Sequence, residues 1–387
     1  MDTTTSEQAS PNFPGFHPLP NHPALYDEQR QLWRVFRYAE VQRVLSDYST
    51  FSNDRGGLDP AQLQSATRSA STNLIAMDPP RHRLYRALVT QAFTPRTVAQ
   101  LEPRITALVD GLLDAVIERG EMDVIDDFSY PLSITVIAEM LGVPTADQEQ
   151  FKLWTSDFFE IITPAAAQAQ RELDLYFRNI FAQHRTAPQD DLVSALLAAQ
   201  VDGQHLTEAE LSSFCSLLLL AGNDTTRNLI ANTLLCLDTF PEAMKQLRAE
   251  PTLLPSAIEE VLRYLPSVHT APRMTVVETV LDGQHIQTGQ WVMPMLASAN
   301  RDATHFPQPD LFDIRRAPNR HLTFGHGIHF CLGAPLARLE SKIALTAILE
   351  HLTDIQRSQD VPLEAVVSPI IYGVKHLPIT FQQKAAV

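Results

Sequence analysis

Residues 321–333, His-Leu-Thr-Phe-Gly-His-Gly-Ile-His-Phe-Cys-Leu-Gly, constrain the fold more than any other stretch. Three of the chain's 14 glycines crowd here, a density that marks backbone at positive φ or in close approach to a bound group. The next run, Ala334-Pro335-Leu336-Ala337-Arg338, reads as the start of a helix, with Pro335 where a missing N–H costs nothing. Cys331 thus precedes a helix N-terminus, where the backbone's partial positive charge favours the thiolate, the form that ligates metals or attacks electrophiles.

A second fixed point is a rod. Thr207 with Glu210 makes a capping box, and the apolar period then runs to Pro241. That predicts a helix over 207–239, roughly 50 Å long at about 1.5 Å per residue. Its leucine run over 217–220 is far too short to span a bilayer. Ala221-Gly222-Asn223-Asp224-Thr225-Thr226 breaks the apolar pattern. Gly222 weakens the helix, and the Asp and Thr side chains can bond carbonyls one turn back, opening the ladder locally. Such a notch suits a small ligand or water, or belongs to a kinked core helix.

Other helices are predicted over Arg81–Ala92, 97–119, 132–141, 148–162, around Phe177 to Phe181, and over 255–265. In the second of these, Leu101, Ile105, Leu108, Leu112 and Val116 form one stripe, stopped by Gly120. Strands are predicted over 32–38, 275–281 and 284–286 about an Asp282-Gly283 turn, and 291–296. Residues 49–73 carry no period and read as a functional loop. The sum is a mainly α chain with small β-sheets. No Gly/Ser-rich or Pro-rich linker divides it, which predicts an irregular tail over 1–23 and a single domain over 24–387.

The net charge of −15 argues against a broad nucleic-acid-binding face. Cys215, Cys236 and Cys331 are too few for a disulfide scaffold and fit a reducing compartment. Residues 1–10 lack the basic and apolar regions of a signal peptide, so a cytoplasmic protein off the membrane is expected. Cys331 itself has three readings: a buried thiol acting as a small hydrophobe, a zinc ligand with His326 and His329 that lacks paired ligand spacings, and an axial thiolate to haem iron.

The run Phe324-Gly325-x-Gly327-x-His329-x-Cys331-x-Gly333 resembles, at every position, the haem-binding signature of the cytochrome P450 monooxygenases. The resemblance implies a cytochrome P450-like fold, with haem b (iron protoporphyrin IX) between a long central helix and the Cys-containing loop, and Cys331 on the metal. Phe324, Gly325, His329 and Gly333 would surround the cofactor, as would Ala221 and Gly222 on the long helix. His82, Arg86, Arg273 and His329 match propionate-binding positions, and Asp224 with Thr225 matches the acid-Thr pair that relays protons. Glu260 and Arg263 match the family's Glu-x-x-Arg pair. Its usual third member is an Arg from a segment resembling 309–312, but Leu311 stands there, leaving Arg315, Arg316 or His321 to substitute.

The implied activity is O2 activation and hydroxylation of an apolar small molecule of terpenoid, steroid, fatty acyl or polyketide type. Its pocket would draw on Leu217, Leu218, Val268, His269, Thr270 and Ile371, with the 49–77 loop and residues 158–162. No flavin or ferredoxin motif is present. Electrons would therefore come from a ferredoxin or flavodoxin-type donor with an NAD(P)H-dependent reductase, docking on Arg81, Arg83 and Arg338. A haem carrier or sensor without turnover would keep Cys331 and have no need of Asp224 and Thr225.

Overall fold

The computed structural model describes residues 13–19, 21–54, 72–147, 150–151, 153–154, 164–366 and 368–384. Residues 1–12, most of the 49–77 loop and most of the helix predicted over 148–162, including 158–162, lie outside the described residues. In chain order the helices are α1 (Tyr38–Ser46), α2 (Arg81–Ala92), α3 (Pro95–Ala99), α4 (Glu102–Ile117), α5 (Tyr130–Met140), α6 (Pro164–Thr186), α7 (Leu192–Ala198), α8 (Glu208–Thr239), α9 (Pro241–Ala249), α10 (Leu254–Tyr264), α11 (Leu296–Ala299) and α12 (Ala334–His351). The strands are β1 (Leu25–Asp27), β2 (Leu32–Val35), β3 (Phe51–Ser52), β4 (Glu121–Asp123), β5 (Arg273–Thr275), β6 (Thr279–Leu281), β7 (Gln284–Ile286), β8 (Trp291–Pro294), β9 (Leu352–Arg357) and β10 (Pro378–Gln383). Among the described residues they form sheets ordered β1-β2-β8-β5-β3 and β4-β10-β9, and the β6-β7 hairpin.

α8 is the axis of the helical body. Thr207 accepts from Glu210 N–H at 3.3 Å while the Glu210 carboxylate accepts from Thr207 N–H at 2.9 Å, the expected capping box. The helix packs against α5, α6, α10 and α12. It stays helical through the notch instead of opening there. Gly222 has a packing reason: a Cβ on it would sit 2.6 Å from Ile137 Cδ1 on α5, so the missing side chain lets two helices close.

Three local expectations shift. The helix predicted over 97–119 is two, α3 and α4, because Pro103 has no N–H to carry the α3 ladder onward; α4 ends at Ile117 with Glu118 as its C-cap, so Gly120, at φ +67°, turns the chain two residues beyond the cap instead of forming it. The strand over 275–281 divides into β5 and β6, with Val276 and Val277 exposed between them. A π-helical turn over Val124–Ser129 was not foreseen; Asp123 caps it by accepting from Ile125 N–H at 2.8 Å. Among the described residues no helix is long and apolar enough to cross a membrane.

α12 buries one carboxyl without a partner: Glu340 is 1% exposed and neither oxygen has a hydrogen bond. Burial pushes its pKa well above the usual carboxylate range. A raised folded-state pKa gives stability that is present in acid and lost as pH climbs through that value. Glu340→Gln should therefore stabilise the fold more at about pH 8 than at about pH 5, read as a larger rise in melting temperature at the higher pH. An equal or negative change at both pH values contradicts this.

Candidate active site around Cys331

The Cys331 loop closes on itself. Gly325, at φ +76°, donates to Leu322 O at 2.8 Å, and Cys331 N–H donates to Phe324 O at 2.8 Å. Gly327, at φ +71°, presses onto the end of α1, where a Cβ would lie 3.0 Å from Ser46 Cα. Cys215 and Cys236 are buried in α8, whereas Cys331 stays partly accessible. The helix-end expectation for its thiol needs correction. Burial raises the pKa, and the N–H groups of Gly333 and Ala334 with the charges of Arg86 and Arg338 only offset part of that rise. Ionisation of this sulfur therefore calls for a cation beside it. Zinc held with His326 and His329 is not that cation. Among the described residues, the only His/Cys/Asp/Glu group with metal-binding spacing is Asp123, Asp126 and His376.

Beside the loop, basic groups converge without an anion among them. The His82 ring, on α2, lies 4.4 Å from the His329 ring. Nε2 of each is buried and unpartnered, and His329 Nε2 is 4.0 Å from Asp78, too far for a hydrogen bond. Burial, with His329 and Arg86 nearby, depresses the His82 pKa to about 4. Arg86 donates to Phe330 O at 2.8 Å. Arg273, presented by β5 and 5% exposed, reaches the carbonyls of Ala271 and Pro272, and burial lowers its pKa to about 10. A buried guanidinium bonded to neutral carbonyls, next to two orphaned imidazole nitrogens, is a donor set lacking its anion. The haem propionates expected here fit it.

α8 supplies a second fit. Most of its first two turns and of its C-terminal half is buried, whereas Leu217, Leu218, Ala221, Gly222 and Thr225 form a partly open stripe on one face, with Ala221 exposed. Thr225 Oγ1 donates to Ala221 O at 2.6 Å. Asp224 pairs with Arg227 at 3.3 Å, and burial raises its carboxyl pKa against that pull. These openings suit a flat apolar cofactor and a ligand over it.

Glu260 and Arg263 form a completely buried pair, with Arg263 Nε and Nη2 each 2.8 Å from the carboxylate. Its third member is Arg316, whose Nε lies 3.2 Å from both Glu260 oxygens, joined by Asn319 at 3.1 Å and Asp313 N–H at 2.8 Å. Arg315 instead pairs with Glu250, and His321 with Glu259. The segment at Leu311 still contributes, through its carbonyl on Arg263 and Arg316. Asn319 was missed because its value depends on a fold that brings it 59 residues back to Glu260.

The expected pocket residues separate into two faces. Val268 bridges Ile371 and Thr270 bridges Met295, so Val268, Thr270 and Ile371 share a side. His269 alternates to the other, its ring 5.7 Å from Phe16 and 5.4 Å from Tyr372, and burial depresses its pKa to about 4. The expected docking patch is also thinner: Arg81 pairs with Glu210 and Arg338 with Glu259, while Arg83 has no ion pair among the described residues.

Residues 121–366 match the family model described as Cytochrome P450. The Cyclomarin C epoxidase CymV of Salinispora arenicola (strain CNS-205) is 42% identical over 371 residues, 94% of this chain and 93% of its own. The Vitamin D(3) 25-hydroxylase of Pseudonocardia autotrophica is 38% identical over 362 residues, 92% of this chain and 89% of its own. The crystal structure of CYP109E1 from Bacillus megaterium in complex with testosterone is similar at a TM-score of 0.86 and 41% identity, covering 93% of this chain and 96% of that one.

Proposed function

The chain belongs to the cytochrome P450 family, and on that premise we propose which of its residues carry the reaction, what they act on and where electrons enter. As a member it is a haem-thiolate monooxygenase that binds haem b, activates O2 and hydroxylates an apolar small molecule with electrons from other proteins. When bound, haem b supplies the O2 chemistry, and a cysteine thiolate favours O–O cleavage. Cys331 is the ligand; the observation that carries this is its place in a closed glycine loop as a partly accessible residue, while the other two cysteines are fully buried in α8.

His82, Arg86, Arg273 and His329 hold the propionates, which gives the buried Nε2 atoms of the two histidines a partner and the two arginines a counter-charge. Phe324, Gly325 and Gly333 shape the loop side, and Ala221 and Gly222 the α8 side. Asp224, whose carboxyl pKa burial raises, passes a proton inward. Thr225 spends its own proton on Ala221 O, so its oxygen lone pairs are left to accept. Glu260, Arg263 and Arg316 brace the core beneath.

The substrate is a steroid-sized or polyketide-like apolar molecule against Leu217, Leu218, Val268 and Ile371. Relatives named for vitamin D(3) and cyclomarin C and a neighbour solved with testosterone support that class. Thr270, 1% exposed with an unpartnered Oγ1, is the polar anchor in place of His269. The electron donor is an acidic ferredoxin or flavodoxin at a groove of about 490 Å³ bordered by Tyr48, Arg83, Arg86, Thr90 and Ile328. We read residues 24–387 as one catalytic domain, and its three free cysteines favour the cytoplasm. A ligand panel scored by the spin-state shift of the Soret band tests the substrate class. Steroid-sized apolar ligands should shift it, and a response confined to small polar molecules contradicts the reading.

A further inference from the structure

Behind the Cys331 loop stands a charged pair that the assigned machinery does not use. Glu259 on α10 receives Arg338 of α12 in two-pronged fashion, Nε to Oε1 at 2.6 Å and Nη2 to Oε2 at 2.8 Å, and His321 Nε2 at 3.1 Å. The same guanidinium lies 4.5 Å from the centre of the Phe324 ring. Phe324 O is the acceptor for Cys331 N–H. Contact therefore runs from a carboxylate, through a guanidinium and an aromatic ring, to the backbone of the sulfur-bearing residue. Burial opposes ionisation of Glu259, but the bonds from Arg338 and His321 outweigh it and hold its carboxyl at about 2. The carboxylate is thus ionised at neutral pH, and the guanidinium it holds stands against the ring of the residue whose own carbonyl binds Cys331 N–H.

Resting on the reading of Cys331 as the iron ligand, we propose that Glu259 and Arg338 are positioning residues that set how much electron density the sulfur gives the metal. Arg338 draws density away and holds Phe324 in place, and Glu259 offsets part of that pull. A positive charge beside the sulfur favours the reduced member of the one-electron ferric/ferrous couple, and a negative charge the oxidised one.

The midpoint potential of the holoenzyme, titrated with dithionite and followed by its visible spectrum, tests this. Arg338→Gln should shift it negative and Glu259→Gln positive, with the double variant nearer the native protein than either. Arg338→Lys, which keeps the charge without the two-pronged contact, should stay near native. Single variants that shift in the same direction, singles that shift nothing, or a Lys variant that follows the Gln variant would each overturn the pair. Loss of haem from a Gln variant while the Lys variant keeps haem and potential supports charge as the agent; loss from the Lys variant too overturns it. A native protein whose reduced CO complex lacks the thiolate band defeats the haem reading beneath; a native band with same-sign shifts defeats only this inference.

Discussion

Glu260→Gln is expected to cost about 3–5 kcal/mol, the penalty for removing one partner of a buried ion pair. The replaced group is fully buried and accepts from Arg263, Arg316, Asn319 and Asp313 N–H together. Glutamine keeps the shape but leaves two guanidinium charges without their counter-charge in the core. Arg263 would still reach the carbonyls of Asn300, Pro309 and Leu311, which are neutral. Because whole domains are stable by only about 5–15 kcal/mol, the variant should be recovered poorly, with little haem per chain. A melting temperature within a degree or two of native, as an order-of-magnitude threshold, contradicts the view that this cluster holds the core together.

Asp224→Asn should lower product formation by roughly 10²–10⁴-fold, the usual contribution of a positioned proton donor. The change preserves size and leaves Cys331 untouched, so the reduced CO spectrum should stay native. Asp224 is suited to the task because burial raises its pKa while Arg227 keeps it ionisable. Product measured per NAD(P)H consumed, with surrogate reductases, separates this from a folding defect. Native turnover in the variant assigns the proton route elsewhere.

Features carried by neighbouring residues were legible in the chain. The Thr207–Glu210 cap, the glycine loop, the Asp282-Gly283 turn and the Thr225 back-bond each involve residues a few positions apart. What the sequence hid depends on distant partners. Gly222 reads as a weak point, but its reason is Ile137 on another helix. The side on which His269 emerges is set by its pairing with the 370–372 segment, a hundred residues later. Arg316 could be named as one of three substitutes, but only the path of the chain after Leu311 selects it. Arg338 reads as a free docking charge until α10 brings Glu259 against it.

All of this depends on the sulfur of Cys331 binding the iron as an anion. The most direct measurement is the absorption spectrum of the reduced protein under carbon monoxide, taken for the native chain and for Cys331→His. The native protein should show the strongly red-shifted Soret band of thiolate ligation, and the variant should bind haem but lose that band. A native spectrum without the shift, or a variant that retains it, would contradict the account.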